Sequence, residues 1–292
     1  MRHCLITHKT DLDGAACAYV FQYVFPDAAI IYADYKNVDD VLQFALDAPD
    51  VDEVWMADIA PSAIQLGDLQ PHERAKLRIF DHHEQSAWAD ERWSEGADGI
   101  KGNFDPDMTG SMLLATELQE HIPNATMGKV FDDHSRLLHL AHVRDFWLTE
   151  DRHWPQADRF TAVLKELGIE TFVEMYKTQE ALFIDHLGNI FVSNRKRCID
   201  AAVQRAVLRV DRNGHAYMFT TTANHWSEVG HALLERVGDV EYACVLRPVE
   251  GIVELRARKG GYDVAKLARE HGGGGHPTAA GYGATMPWEM LP

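Results

Sequence analysis

Along the first eighty residues, short continuous apolar runs alternate with stretches of helical period. The runs at 4–7, 28–33, 53–57 and 77–80 read as strands, and the segments at 14–24, 38–46 and 63–69 read as helices. Strands alternating with helices predict a mostly parallel sheet covered on both faces. From about residue 110 to 142 the pattern is helical. Residues 160–209 are also mainly helical, with one long stretch from 178 to 206. A second alternating segment follows, with strands expected at 207–210, 216–220, 242–247 and 252–256. Asn213-Gly214 between the first two of these is a strong hairpin signal. The expected architecture is α/β in two parts: a parallel-sheet domain with a helical extension over 1–195, joined by a long helical linker to a smaller mixed α/β domain over 196–292.

The polar residues that interrupt this pattern are not scattered. Asp11 and Asp13 follow the first strand, Asp58 the third, and Asp81-His82-His83 the fourth, while Asp145 follows the apolar-patterned stretch 137–143. In open parallel sheets, ligands gather at the carboxyl ends of the strands. Taken singly, each residue has an ordinary reading. Asp11 and Asp13 beside Gly14 could cap a helix, and Asp58 could cap one starting near Pro61. His82-His83 could be a satisfied polar pair, and Asp145 a solvated loop acid. Taken together, with His8 at the end of the first strand, they fit one metal site. Carboxylate oxygens with a few imidazoles suit Mn²⁺ or Mg²⁺, and the lack of thiolate ligands argues against structural zinc. Two such ions can activate a water and clamp a phosphoryl group.

Composition narrows the partners. The 292 residues carry a formal net charge of -17, which repels a long phosphate backbone, so a protein that wraps long DNA or RNA is not expected. A small anionic substrate is compatible, because bound cations reverse the local field. Cys4, Cys17, Cys198 and Cys244 show no zinc-type spacing and read as free thiols of a reducing compartment. No run approaches the length of a membrane span, and the start of the chain does not read as a signal peptide. A cytoplasmic protein without a membrane partner is expected. A homodimer fits the reading, although no interface is legible.

The ordered motifs resemble those of the DHH phosphoesterases. The matching pieces are the segment from Thr7 to Gly14 (THKTDLDG), Ala57-Asp58-Ile59-Ala60, Phe80-Asp81-His82-His83 and Arg144-Asp145-Phe146. Near the carboxyl end, the segment from Gly272 to Gly281 (GGGGHPTAAG) is similar to the glycine-rich signature of the associated DHHA1 domain. The resemblance spans nearly the whole chain. It implies a parallel-sheet DHH domain and a DHHA1 domain with a substrate cleft between them, and two Mn²⁺ ions, with Mg²⁺ or Co²⁺ as substitutes. His8, Asp11 and Asp58 would hold one ion, and Asp13, Asp58, His82 and Asp145 the other, with Asp58 bridging. Asp81 would orient His82, and His83 would face the transferring phosphoryl group. His8 stands three residues before Asp11, where related enzymes often have four.

The resemblance also implies a substrate side built from Arg256, Gly273, Gly274, Gly275 and His276, with Arg258 a weaker candidate. Four consecutive glycines let backbone approach a ligand closely and can cradle an anion. The implied activity is hydrolysis of a short oligonucleotide, a nanoRNA or a pGpG-type dinucleotide. The alternatives are a pAp or other small-nucleotide phosphatase, a cyclic-dinucleotide phosphodiesterase and, in another class, a non-catalytic nucleotide-binding regulatory module. Three further features are read as structural. Asp132-Asp133-His134, with His139 and His142, is expected on a solvated helix face with some core histidines. Trp88, Trp93, Trp147 and Trp154 are expected to pack in the core or between domains. Thr109-Gly110-Ser111 is expected to be a helix start.

Overall fold

The computed structural model describes residues 2–83, 100–119, 127–178 and 181–283, without the side chains of 127–134. Trp88 and Trp93 lie outside the described residues, as do the side chains of Asp132, Asp133 and His134. The chain divides into two compact units, Met1–Phe191 and Val192–Pro292.

In the first unit, β1 (His3–His8), β2 (Ala29–Ala33), β3 (Glu53–Ala57), β4 (Leu77–Asp81) and β5 (Lys101–Phe104) form one sheet in the order β2-β1-β3-β4-β5. Every pairing is parallel, so all five strands end at the same edge. Alternate residues of the central strands serve two cores. Leu5, Trp55 and Phe80 pack on one face with helices α1 (Leu12–Val24), α5 (Gly110–Leu118) and α6 (Met127–Asp145). The same core takes in α7 (Trp154–Leu167) and α8 (Ile169–Thr178). Cys4, Ile6, Val54, Met56 and Ile79 pack on the other face with α2 (Val38–Asp47) and α3 (Ala63–Asp68). A one-turn helix, α4 (Pro71–Arg74), precedes β4. Burial on both faces is why these strands read as continuous apolar runs.

The chain passes from the first unit to the second within α9 (Ala181–Gln204). In the second unit, β6 (Val207–Val210), β7 (Ala216–Thr221), β8 (Tyr242–Arg247), β9 (Ile252–Ala257), β10 (Gly274–His276) and β11 (Ala279–Gly283) form a mixed sheet in the order β10-β11-β9-β8-β7-β6. Only β7 and β8 pair in parallel among these neighbours. Helix α10 (Trp226–Arg236) packs on Ala243 and Val245, and α11 (Val264–Glu270) on the opposite-parity Tyr242, Cys244 and Leu246. The hairpin expected at Asn213-Gly214 is present, with Gly214 at φ 86°.

Among the elements not predicted, three are instructive. β5 has little apolar sequence because it is an edge strand, and a Cβ at Gly102 would run into the Ile79 carbonyl of β4. α10 begins after His225 in a left-handed conformation and without a side-chain cap, so the usual start signal is missing. The glycine run is not wholly a turn, since Gly274–His276 pairs antiparallel with Ala279–Gly281.

Candidate metal centre

The parallel order of the sheet delivers the predicted residues to one edge. β1 ends in His8, and the next helix starts at once. Asp11 is its N-cap, with Oδ1 accepting the Gly14 N–H at 2.9 Å, and Asp13 lies in its first turn. A Cβ at Gly14 would collide with the His8 carbonyl, so glycine is what lets α1 rise directly off β1. Asp58 follows β3 and adopts φ 62°, a costly conformation for a residue with a side chain. Its N–H donates to the Phe80 carbonyl at 3.0 Å, which holds the turn against β4. β4 itself ends in Asp81. Asp145 is the last residue of α6 rather than a loop acid, because that helix continues three residues past 142.

Asp58 sits at the centre and is 1% exposed. Its Oδ1 is 3.4 Å from His82 Nε2, and that nitrogen is 3.3 Å from Asp145 Oδ2. His8 Nδ1 is hydrogen bonded to Asp11 Oδ2. Ligand atoms of His8, Asp11 and Asp58 lie within 4.8 Å of one another, as do those of Asp58, His82 and His83. Asp13 is equally buried, but Ser111 engages its carboxylate through the hydroxyl and through the main-chain N–H at 3.3 Å. Tyr35 stands beside the site, its ring centroid 5.5 Å from that of His8 and 6.0 Å from that of His83.

Asp81 departs from its expected partner. Its Oδ1 is 2.8 Å from the Nδ1 of His83, while His82 reaches it through the main-chain N–H at 2.9 Å. The ring that Asp81 orients is therefore that of His83. The two imidazoles lie side by side, with ring centroids 4.3 Å apart.

Ser111 and Gly110 were missed as site residues. Thr109-Gly110-Ser111 does start a helix, as its sequence suggests. A Cβ at Gly110 would stand 2.5 Å from the Asp58 nitrogen and 2.6 Å from its Cα, so this helix start is pressed against the strained turn. A small residue beside a hydroxyl at a helix start was the available signal.

The electrostatics follow from crowding. Burial, together with the charges of Asp145 and Asp11, pushes Asp13 up to about 7 against the opposing hydrogen bonds from Ser111. Burial and then the neighbouring Asp11 and Asp13 raise Asp58 well above the ordinary carboxylate range. Burial raises Asp145, with His82 opposing it. Asp11 is lower than usual: burial pushes it up, but His8 and the Gly14 N–H outweigh burial. Burial and then His83 hold His82 down, whereas the Asp81 carboxylate outweighs burial and raises His83.

Among the described residues, the ionic partners of Asp11, Asp58 and Asp145 are imidazoles. Asp58 Oδ2 is buried without a hydrogen-bond partner among the described residues. Buried carboxylates gathered in this way lack the positive charge that would stabilise them. The donor set of oxygen and imidazole therefore fits divalent metal ions of the Mn²⁺ or Mg²⁺ kind. A second group, His139, Asp151 and His153, lies within the same limit of mutual distance, with His139 Nε2 2.9 Å from His153 Nδ1.

On the second unit the expected substrate residues are of two kinds. Gly274, Gly275 and His276 are exposed along β10. Gly273 and Gly275 are also demanded by the fold, because a Cβ on either would collide with β11. Arg256 donates to the Leu255 carbonyl at 2.8 Å and lies 3.4 Å from Glu254. Arg258 donates to the carbonyls of Val240 at 2.8 Å, Val237 at 2.9 Å and Leu234, which commits it to the end of α10 and its following loop.

Comparison with known proteins bears on this arrangement. No family model matches the chain. A curated relative, oligoribonuclease NrnB of Bacillus subtilis (strain 168), is 24% identical over 96% of this chain and 72% of its own length. The pGpG-specific phosphodiesterase PggH of Vibrio cholerae has a similar structure, with TM-score 0.53 and 10% identity over 97% of this chain and 92% of that one. RecJ of Thermus thermophilus, solved in complex with Mn²⁺, gives TM-score 0.50 and 14% identity over 97% of this chain and 49% of RecJ. The structural likenesses show a shared fold. With the motif order and the curated relative, they support the resemblance to the DHH/DHHA1 phosphoesterases, and the relatives support a hydrolase.

Proposed function

From the premise that the chain is a DHH/DHHA1-type protein, we propose that it hydrolyses phosphodiester bonds of short oligonucleotides, dinucleotides of the pGpG type included, with two Mn²⁺ ions at the sheet edge. The observation that carries this reading is the gathering of Asp11, Asp13, Asp58 and Asp145 around a buried Asp58 oxygen without a partner. His8, Asp11 and Asp58 would hold one ion and Asp13, Asp58, His82 and Asp145 the other, with Asp58 shared. Bound there, the ions supply an activated water and neutralise charge on the phosphoryl group.

The chain's own residues do the rest. Ser111 fixes the carboxylate of Asp13, and Gly110 leaves room for the Asp58 turn. Asp81 holds the Nδ1 side of His83, so that the Nε2 side is offered to a phosphoryl or leaving-group oxygen as hydrogen-bond donor and acid. The exposed Gly274 and His276 of the second unit bind a substrate phosphate or base, and Arg256 contributes positive charge there. The names of NrnB and PggH favour a short oligonucleotide or dinucleotide, and the net charge of -17 disfavours long strands. The test is a panel assay with Mn²⁺ on pGpG, RNAs and DNAs of graded length, cyclic dinucleotides, pAp and pyrophosphate. Turnover concentrated on the shortest linear substrates is expected. Turnover of pyrophosphate alone would overturn the substrate class, and metal binding without any turnover would favour a nucleotide-binding module.

A further inference from the structure

Helix α6 brings Asp145 to the metal centre and then stops in a turn whose hydrogen bonds normally go with glycine. Leu148 N–H donates to the Val143 carbonyl at 3.0 Å, and Trp147 N–H to that of Arg144 at 3.3 Å. These are the two bonds of a Schellman cap, in which the residue now occupied by Trp147 takes a left-handed conformation. Trp147 does so, at φ 53°. A Cβ is penalised in that conformation and glycine is not. Only Asp58, Trp147 and His225 carry a side chain at positive φ among the described residues, and one of those is the central acid of the site.

Burial does not explain the choice of tryptophan. The side chain is a large apolar one, yet Trp147 is 63% exposed, contrary to the expectation that it packs away. What holds it is lateral. The Arg144 guanidinium lies 4.3 Å from the Trp147 ring centroid and 4.9 Å from that of Trp154, and the two indoles meet edge to face at 4.9 Å. The guanidinium takes one face of the ring and fixes it, while the residue as a whole stays exposed. Trp147 also lines a cavity of about 380 Å³ together with Asp11, Asp13, Asp145, Arg144 and Lys165. A cavity of that size accepts a small ligand. Its lining combines carboxylates of the metal centre with an aromatic ring and two cationic residues.

We infer that Trp147 is the stacking platform for a nucleobase of the substrate, the base adjoining the phosphate attacked at the metal centre. This rests on the hydrolytic reading above. An aromatic face accepts any base, and Lys165 supplies charge for a backbone phosphate beside it. A strained left-handed tryptophan is retained because a glycine, though better suited to the turn, would leave the base without a surface.

The test compares the wild-type chain with Trp147→Gly and Trp147→Phe on a 5′-phosphorylated dinucleotide and on its abasic counterpart, with Mn²⁺ present. Trp147→Gly suits the turn and is expected to fold with an unchanged or raised Tm. It is expected to lose about tenfold or more of the wild type's kcat/KM preference for the base-bearing dinucleotide, mainly through KM, and Trp147→Phe should restore part of it. Wild-type turnover with the same preference in Trp147→Gly would overturn the inference while leaving the hydrolytic reading intact. Should the wild type turn over neither compound, that reading fails, and indole fluorescence on titration with the dinucleotide decides the inference. Quenching lost in Trp147→Gly supports the platform, and its absence in the wild type or persistence in the variant overturns it.

Discussion

The sheet-edge cluster of the first unit and the ion pairs of the second treat charge in opposite ways. In the second, Arg247 lies 2.9 Å from Glu250 and 3.3 Å from Glu254, and Glu254 also meets Arg256. Asp211, buried, accepts the N–H groups of Asn213 and His215 at 2.8 and 2.9 Å and the Tyr242 hydroxyl at 3.2 Å. Each of these charges has a partner within the fold. At the sheet edge of the first unit, acids are brought next to acids, and a buried Asp58 oxygen is left without a donor. A charge arranged for stability is neutralised locally, whereas this cluster is arranged for a cation the chain does not itself supply.

Substitutions in the two regions should therefore have different effects. Asp58→Ala is expected to abolish Mn²⁺-dependent hydrolysis, read as turnover of a dinucleotide; near-normal turnover would remove the two-metal assignment. Gly110→Ala should force the Asp58 turn apart and lower stability by about 1–3 kcal/mol, with a loss of activity; thermal unfolding and the dinucleotide assay together check it. Ser111→Ala should weaken Mn²⁺ binding about 10–100-fold with little change in fold, since Ser111 acts through Asp13; calorimetric titration reads this. Arg258→Ala, in the second unit, should cost about 1 kcal/mol of stability through the released carbonyls of the α10 end. Denaturant unfolding measures that loss, and Mn²⁺ affinity should not move.

The metal-free protein gives the mildest test. Asp13 is raised to about 7 and Asp58 beyond the ordinary range, each chiefly by burial. An acid whose folded pKa exceeds its unfolded value favours the folded state when protonated. Both groups therefore stabilise the fold fully below the ordinary carboxylate range near pH 4, and the Asp13 contribution is lost as pH rises through about 7. The Tm of chelator-treated protein should fall across this window, and Mn²⁺ should reverse the fall at its upper end. A Tm that rises from pH 4 to 7 without metal would contradict the crowding.

Much of this was legible in the chain because the first unit obeys a strict rule. Continuous apolar runs between amphipathic helices mark a parallel sheet, and a parallel sheet puts its strand ends on one edge, so Asp11, Asp58 and Asp81 could be assembled from spacing alone. What depends on side-chain direction was not legible. Asp81 was assigned to the ring of His82 and meets that of His83. Ser111 lies 98 residues from Asp13 and carries no metal chemistry of its own, so only the fold brings the two together. Trp147 looked like a packing residue, because sequence does not reveal that its backbone is left-handed. In the second unit the glycine run was expected to approach a ligand, and two of its glycines also serve close strand pairing.

Two-metal hydrolysis at the sheet edge requires that the clustered acids hold metal through Asp58. The direct measurement is Mn²⁺ uptake by equilibrium dialysis, comparing the wild-type chain with Asp58→Ala under conditions where both are shown to be folded. Two ions per wild-type chain, with uptake of both weakened in the variant, is the predicted result. Equal uptake by the two proteins would contradict the account.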